Sequence, residues 1–379
     1  MPDPQRVGRL DFADIVRTHR AALESMRQLS RRQKRALTDI AHCRTAALGG
    51  HLDRCLRCGY ERPSYNSCRN RHCPKCQALA QDKWINEQRV RMLDMPHFHV
   101  VFTLPAELRP LAAFAPVTVY GALFRAAAAT LQSFARRHLS ATLGATLVLH
   151  TWTRKLELHP HVHAIVTAGG LSLDGTRWRS TDRKFLFPIK AMSRVLRGKM
   201  MTALRRAERA DKFRRFADFR DPQAFKKLLR TIAKIPWYAY AKPSFSRGEY
   251  VLQYLGRYTH RVGIANSRLL SITPTTVTFR TKGTKTATLH PTEFLRRFVQ
   301  HVLPDRFHKL RHVGLYASPQ KSARARTLLG ARAPRSVRAS WQQRLLSLTG
   351  RDVTVCPGCL APLTSLALPV IRAPPRTTS

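Results

Sequence analysis

The chain has 379 residues, of which 44% are hydrophobic and 23% charged, enough apolar material for two or three domains with a core. Its 67 lysines and arginines outnumber 22 acidic residues and give a formal net charge of +45, which favours nucleic acid as a partner. No apolar run is long enough to span a membrane, which argues against a membrane protein. Ribosomal and chromatin-like proteins could have a similar charge, so the charge indicates a partner class and no reaction.

The N-terminal region predicts a helix followed by a cysteine-rich segment. Ile15, Ala22, Met26 and Leu29 recur at helical spacing among arginines, so residues 10–40 are predicted to be helical. The first residues lack the apolar stretch of a secretory signal, so the expected compartment is the cytoplasm. Disulfides are rare there, and the eight cysteines are therefore better explained as metal ligands.

Two Cys-x-x-Cys pairs, Cys55 with Cys58 and Cys73 with Cys76, are separated by a short basic loop. Each pair can hold one side of a tetrahedral ion, so we predict that the two pairs form a structural zinc site. Four further donors lie nearby and could bind a second zinc ion, or be buried thiols and imidazoles outside any metal site: Cys43, His51, Cys68 and His72. The expected number of zinc ions is therefore one or two.

Two other features of the cysteines and their surroundings bear on function. Arg69 and Arg71 lie in the basic loop, and we predict that they contact DNA; the alternative is a zinc knot with a structural role alone. Cys356 and Cys359 form a lone pair near the C-terminus, and we assign no metal to them.

Beyond the cysteines, the pattern of apolar residues predicts several strands in one antiparallel sheet with helices packed on it, an α+β domain. The basic stretch 190–233 is either a solvated helical face or an insertion that contacts DNA. The chain past residue 320 is rich in Arg, Pro and Ser, and its last ten residues are expected to be disordered. The predicted helices cover 82–92 and 116–139, and the predicted strands cover 97–104, 146–154, 159–168, 268–273, 276–281 and 285–289.

Three histidines recur at every second position from 159 to 163. In a β-strand, alternation places His159, His161 and His163 on one face and leaves Val162 and Ala164 for the core. Imidazoles crowded in this way favour a bound metal ion. The same residues could instead form a solvated histidine edge or a metal site without chemistry.

Tyrosines recur every four residues at Tyr250, Tyr254 and Tyr258, which places them on one face of a helix. The simplest interpretation is an aromatic core stripe, but Arg257 and Arg261 beside the rings do not suit a core. A tyrosine hydroxyl can attack a phosphodiester, and arginines can balance the charge that develops. Tyr250 is expected to serve in packing.

These motifs resemble those of a known family. His161-Val162-His163 matches the His-hydrophobic-His motif of the HUH endonucleases, and the segment from Tyr254 to Arg261 looks like the two-tyrosine signature of rolling-circle transposases. Those transposases include the Helitrons and a bacterial insertion-sequence family, whose zinc-binding domain the cysteine-rich segment resembles. The resemblance covers roughly residues 30–320.

The resemblance implies a ferredoxin-like or RNA-recognition-like sheet with packed helices, preceded by a small zinc-binding domain. We expect a helical and zinc-binding domain at 1–92, the nuclease domain at 93–320 and a basic, partly disordered region at 321–379. The partner would be single-stranded DNA of the element ends and target, which the protein would reach near the bacterial nucleoid.

The resemblance also implies a mechanism. His161 and His163 would bind one Mg²⁺ or Mn²⁺, with His159, Glu157 or Gln253 as the third ligand. Tyr254 would be the first nucleophile and Tyr258 the second, with Arg257 and Arg261 on the phosphate backbone. A plasmid relaxase or replication initiator would share this chemistry. Two hypotheses from different classes are an inactive zinc-dependent DNA-binding protein and a zinc hydrolase that uses the three histidines.

Overall fold

The computed structural model describes residues 10–182, 186–219, 221–245, 256, 263–331 and 339–370. It combines helices with antiparallel sheets, so the predicted α+β class is confirmed. Helices in the described residues are α1 Phe12–Met26, α2 Arg31–His42, α3 Ala78–Arg91, α4 Arg109–Phe114, α5 Pro116–Leu139, α6 Ile189–Arg209, α7 Pro222–Lys234, α8 Pro291–Val299, α9 Pro319–Leu328 and α10 Trp341–Thr349. Strands are β1 Gly50–Arg54, β2 Glu61–Tyr65, β3 His97–Thr103, β4 Ala141–Trp152, β5 Leu158–Ser172, β6 Trp178–Ser180, β7 Tyr238–Phe245, β8 Leu269–Ile272, β9 Val277–Arg280, β10 Thr286–Leu289, β11 Leu310–Gly314 and β12 Thr364–Leu368.

The largest sheet has the strand order β11-β4-β5-β3-β7, with β6 also paired to β5, and its neighbours run antiparallel. Its long central strands, β4 and β5, form an antiparallel hairpin. One face is apolar because Val162, Ala164 and Val166 alternate along β5 and pack in one buried cluster with Leu123 and Phe124 of α5. The opposite face of the same strands carries the histidines.

The N-terminal helices pack against a part of the chain far beyond them. Phe12 of α1 lies 4.4 Å from Phe298 and 5.6 Å from Phe294 of α8 between ring centroids. The same buried cluster contains Leu37 of α2 and Phe279 of β9, from the small sheet β10-β9-β8. The first helices therefore share a core with residues that lie between β7 and β11 in the chain.

A third sheet joins the two ends of the chain. Its order is β12-β1-β2, and the register pairs Gly50 with Leu368 and Arg54 with Thr364. Part of the C-terminal region, expected to be a basic and partly disordered extension, thus forms a strand against the cysteine-rich segment. Among the described helices, none is both long and apolar enough to cross a membrane.

Candidate functional site: a histidine cluster and two cysteine clusters

The histidine cluster lies on the open face of the main sheet, opposite the apolar face. His161 and His163 stand on β5, and His150 stands on β4 directly opposite His161. Ligand nitrogens of the three side chains all lie within 4.8 Å of one another. Donors about 2.1 Å from one ion are roughly 3 to 4 Å apart, so a span of this size suits a single bound metal ion.

Neighbouring groups orient two of these rings. The Nδ1 of His161 lies 2.6 Å from the carbonyl oxygen of His159 and donates to it, which leaves Nε2 with a free lone pair. The Nδ1 of His163 lies 2.8 Å from the Nε2 of His99 on β3, so one ring donates to the other. Metal-binding histidines usually donate their second ring nitrogen in this way.

Burial keeps these imidazoles neutral. Removal from water, together with the neighbouring imidazoles, lowers the pKa of His161 to about 4 and the pKa of His163 to about 2. Neutral rings at physiological pH offer lone pairs rather than protons. The donor set therefore fits a divalent cation.

The structure brings together the two histidines that the sequence singles out, and it adds a third that the sequence prediction missed. His150 was not considered because it lies on the preceding strand. Of the three candidates for the third ligand, Glu157 accepts from the Thr153 hydroxyl at 3.2 Å and His159 lies 3.3 Å from the Arg109 guanidinium. Gln253 lies outside the described residues. Cross-strand pairing of β4 with β5 brings His150 to the cluster, and no spacing within β5 indicates it.

The tyrosine motif falls almost entirely outside the described residues, which applies to Tyr250, Tyr254, Arg257, Tyr258 and Arg261. Gly256, between the two candidate nucleophiles, is described: it is helical and buried. A Cβ added there would lie 2.5 Å from the Cδ1 of Ile85 on α3, so the glycine allows close contact between the two segments.

Ile85 connects this glycine to the histidine face. It packs against a buried cluster that contains Val148 and Ile165. Val148 is the cross-strand partner of His163, and Ile165 lies two residues further along β5 on the same face. Gly256 of the tyrosine motif therefore contacts a helix that packs beside the histidine cluster.

The eight cysteines form two clusters of four. One consists of Cys43, Cys68, Cys73 and Cys76, and the other of Cys55, Cys58, Cys356 and Cys359, each with sulfurs within 4.8 Å of one another. The Sγ–Sγ distance is 3.4 Å for Cys55–Cys359, 3.5 Å for Cys58–Cys356 and 3.7 Å for Cys68–Cys76. Four sulfurs about 2.3 Å from a tetrahedral zinc ion lie about 3.8 Å apart, so both clusters have the spacing of a zinc site.

The predicted pairing of the cysteines is wrong. Cys55 and Cys58 do not share a cluster with Cys73 and Cys76, because the β12–β1 pairing carries Cys356 and Cys359 to the first pair. The C-terminal pair, to which the sequence assigned no metal, therefore belongs to a candidate zinc site. The backbone N–H groups of Cys58 and Arg57 lower the pKa of the Cys55 thiol to about 6, which favours the thiolate that zinc requires.

The two histidines of this region lie outside both clusters. His51 Nε2 lies 3.4 Å from an Asp53 carboxylate oxygen. His72 accepts at Nε2 from the backbone N–H of Leu303 at 3.2 Å, and burial lowers its pKa to about 3. Both side chains thus have contacts other than a metal ion.

The two arginines of the basic loop have different surroundings. Arg71 donates to the carbonyl oxygens of Phe307 at 2.7 Å and Pro304 at 2.9 Å, so it ties the loop to the segment that precedes β11. Arg69 is exposed beside it. Both line a cavity of about 420 Å³, together with Arg32, Arg35 and Arg306. DNA contact by Arg69 and Arg71 stays a prediction.

Comparison with known proteins agrees with these clusters. Residues 144–324 match the family described as "Putative transposase", and residues 15–104 match the family described as "Transposase zinc-binding domain". The chain is 42% identical to "Putative transposase y4qJ" of Sinorhizobium fredii, over 92% of each chain. It is 31% identical to "Transposase for insertion sequence element IS801" of Pseudomonas savastanoi pv. phaseolicola, over 74% of this chain and 70% of that one.

The chain belongs to the HUH-type insertion-sequence transposases with an N-terminal zinc-binding domain. The family resemblance seen in the sequence is thereby confirmed, and DNA is the transposase's partner. The transposase match includes all three histidines of the cluster and the tyrosine motif. The zinc-binding match includes Cys43 through Cys76 and supports structural zinc, but it does not extend to Cys356 and Cys359. No solved structure matches the chain.

Proposed function

We propose that this transposase nicks and rejoins single-stranded DNA through a covalent phosphotyrosine intermediate, in rolling-circle transposition. The observation that carries the proposal is the location of Gly256. The glycine between Tyr254 and Tyr258 packs against Ile85, which in turn packs against the buried cluster beside His163. This supports a nucleophile and a metal-binding set that act on the same phosphate.

His150, His161 and His163 would hold the divalent cation, through one ring nitrogen each. When bound, that cation would polarise a non-bridging oxygen of the scissile phosphate. Imidazole nitrogens suit transition metals, whereas Mg²⁺ prefers oxygen donors. The set therefore favours Mn²⁺ over Mg²⁺.

Tyr254 would act first. Its hydroxyl oxygen attacks the phosphorus and loses its proton, and the bond from phosphorus to the 3′ oxygen breaks. The products are a 5′-phosphotyrosine and a free 3′-hydroxyl, with the number of phosphodiester bonds unchanged. A 3′-hydroxyl of another strand then attacks the phosphotyrosine, which forms a new DNA phosphodiester and releases the Tyr254 hydroxyl, so that DNA is rejoined without ATP. Attack by Tyr258 would instead transfer the strand from Tyr254 to Tyr258 as a second phosphotyrosine. Arg257 and Arg261 would balance the charge on the phosphate.

Both cysteine clusters would hold structural zinc. Four thiolates complete a tetrahedral ion and leave no position for substrate, so these ions would act on folding alone. The second cluster would fix residues 339–370 to the zinc-binding domain. Arg69, exposed beside the first cluster, would contact the DNA backbone.

The test is a covalent-adduct assay with labelled single-stranded DNA from the element's own ends and Mn²⁺ or Mg²⁺. We expect an SDS-resistant protein–DNA band that is lost in Tyr254→Phe, His150→Ala and His161→Ala. Tyr250→Phe tests the tyrosine frame and should retain the band. His138→Ala is the matched histidine control, since His138 is exposed on α5 on the other side of the sheet. DNA binding without any adduct would instead support an inactive DNA-binding protein.

A further inference from the structure

Edge strand β7 continues the face of the main sheet that carries the histidine cluster. Tyr240 pairs with Val101 of β3, which pairs with His163. Tyr238 pairs in the same way with Thr103, which pairs with His161. Directly paired residues in antiparallel strands point to the same face, so both tyrosines share the face of the histidines.

The two tyrosines are close to the cluster but outside it. Each lies two strands away from a histidine, which corresponds to roughly 10 Å between backbones. Strand side chains stand nearly perpendicular to the sheet, so the rings project from the same surface to which the imidazoles belong. The tyrosine motif follows β7 directly in the chain.

Both rings are exposed, although the strand itself is well packed. Tyr238 is 69% exposed and Tyr240 is 54% exposed. Between and after them, Ala239 and Ala241 pack against the apolar core on the other face. The rings therefore add little to the core, and two neighbouring exposed aromatics on one strand require another explanation.

The charge around the rings suits an anionic partner. Lys242 is exposed at the next position on the same face, opposite His99, whose pKa it helps to lower. The protein carries a formal net charge of +45. An aromatic surface beside a cationic one is the usual combination for a single nucleic acid strand, whose bases are free to stack on side chains. In a duplex those base faces are already occupied.

We propose that Tyr238 and Tyr240 form a stacking platform for bases of single-stranded DNA next to the scissile phosphate. Bases stack on the two rings, Lys242 contacts the backbone, and the strand runs across β3 to the histidine cluster. The platform supplies the single-strand preference of the site. This proposal rests on the proposed function, because it places a substrate relative to the metal-binding histidines.

The test compares two ligands for the full-length protein by fluorescence anisotropy: an oligothymidylate, and an abasic strand of the same length. Each of Tyr238→Ala and Tyr240→Ala should weaken oligothymidylate binding by about 5- to 150-fold, the range of one lost base–aromatic contact. The same variants should bind the abasic strand like the wild type. Tyr238→Phe and Tyr240→Phe, which keep the ring, should retain the wild-type affinity for both strands.

Two controls identify the source of the effect. Trp341→Ala removes an aromatic side chain that is 53% exposed on α10, and it should leave both affinities unchanged. Lys242→Gln should weaken the binding of both strands equally and reduce the salt dependence of binding, since it removes a phosphate contact. An equal loss on both strands in the tyrosine variants would overturn the stacking platform.

The outcome is separable from that of the proposed function. An adduct lost in Tyr254→Phe, together with unchanged oligothymidylate affinity in the Tyr238 and Tyr240 variants, would reject the platform and keep the nicking mechanism. If the Tyr238 and Tyr240 variants lose base-dependent binding but the wild type forms no adduct, the platform would be kept and the nicking mechanism rejected. A change of sedimentation coefficient without loss of DNA affinity would assign the tyrosines to a protein contact and also overturn the platform.

Discussion

The cysteine clusters and the histidine cluster are both sets of metal-ligating side chains, but they lie on different kinds of structure. The cysteines lie largely in loops and turns, where each cluster joins separate segments of the chain. The histidines stand on two central strands of the largest sheet, where the backbone is fixed by hydrogen bonds on both sides. Zinc would therefore hold the cysteine-bearing loops together, whereas the sheet itself positions the histidines for a metal ion.

The number of metal-ligating side chains also differs between the cysteine clusters and the histidine cluster. Four sulfurs complete a tetrahedral zinc ion, which is the pattern of structural sites. Three imidazoles leave coordination positions for a phosphate oxygen and water, which is the pattern of catalytic sites. The comparison teaches that metal-ligating residues in one chain can be assigned to folding or to chemistry by the structure that carries them.

The largest effect is expected for His161→Ala. Loss of one of three ligands should reduce adduct formation by about 10³-fold or more, because several kcal/mol of transition-state stabilisation depend on the ion. Zinc content and the unfolding midpoint in urea should not change. Atomic emission and a urea titration measure both. Loss of zinc in this variant would mean that the two kinds of site are not independent.

The second-largest effect is expected on the free energy of unfolding when one cysteine of a cluster is replaced by serine. The same substitution can be made in both cysteine clusters. Cys73 is 2% exposed and packs in the core with α1 and α8, whereas Cys359 is more accessible. We expect Cys73→Ser to lower the free energy of unfolding by more than about 4 kcal/mol, as for loss of a buried metal ligand. Cys359→Ser should lower it less. Zinc analysis and urea unfolding measure each variant.

Hydrogen exchange can show which elements lose stability in each cysteine variant. In Cys359→Ser the amides of β12 should lose protection while those of α1 and α8 keep it. Equal losses of stability in the two variants would contradict the distinction between a core cluster and a cluster that fastens the chain end.

A smaller effect is expected on the pH dependence of stability, from histidines that are buried outside the histidine cluster. Burial lowers the pKa of His301 to about 4, and its ring contacts the Leu156 carbonyl oxygen at 3.0 Å and the Thr151 hydroxyl at 3.1 Å. The unfolded chain, with a pKa near 6.5, takes up the proton first as the pH falls. The contribution of the neutral His301 to the free energy of unfolding is complete above pH 6.5 and is lost progressively towards pH 4.

The slope of stability against pH tests this. Each such histidine contributes up to about 1.4 kcal/mol per pH unit in that window. His301→Gln should therefore flatten the pH dependence between pH 6.5 and 4 by that amount, measured by urea unfolding at several pH values. An unchanged slope would show that His301 is protonated in the folded protein.

The smallest effect should come from Gly256→Ala. The added methyl would lie 2.5 Å from the end of the Ile85 side chain, which can move in part, so we expect a cost of about 1 to 3 kcal/mol and slower adduct formation. Ile85→Ala makes room, and the double variant should recover most of the rate. Absence of this rescue would argue against close packing of the tyrosine motif on α3.

The sequence was most informative where function depends on neighbouring residues. The alternation from His159 to His163 identified the face of β5, and α5 and β3 match the predicted helix and strand closely. His150 was missed because its location depends on the register of a hairpin that has an irregularity between His150 and Trp152. No spacing along one strand reveals such a partner.

The pairing of the cysteines was missed for a related reason. Cys58 and Cys356 are 298 positions apart, and the β12–β1 pairing brings them together. Proximity in sequence favoured the two nearby pairs instead. Arg71 has long-range contacts of the same kind, because the carbonyl groups to which it donates belong to Pro304 and Phe307. Long-range contacts of this kind are set by packing rather than by local pattern.

The most direct measurement is the identity of the residue that becomes linked to DNA. After reaction with single-stranded end DNA and Mn²⁺, trypsin separates Tyr254 from Tyr258, because Arg257 lies between them. Mass spectrometry should find nucleotide on the peptide 248–257, attached at Tyr254 rather than Tyr250, and not in the His161→Ala variant. Cleaved DNA with a free 5′-phosphate and no linked tyrosine peptide would contradict the phosphotyrosine mechanism.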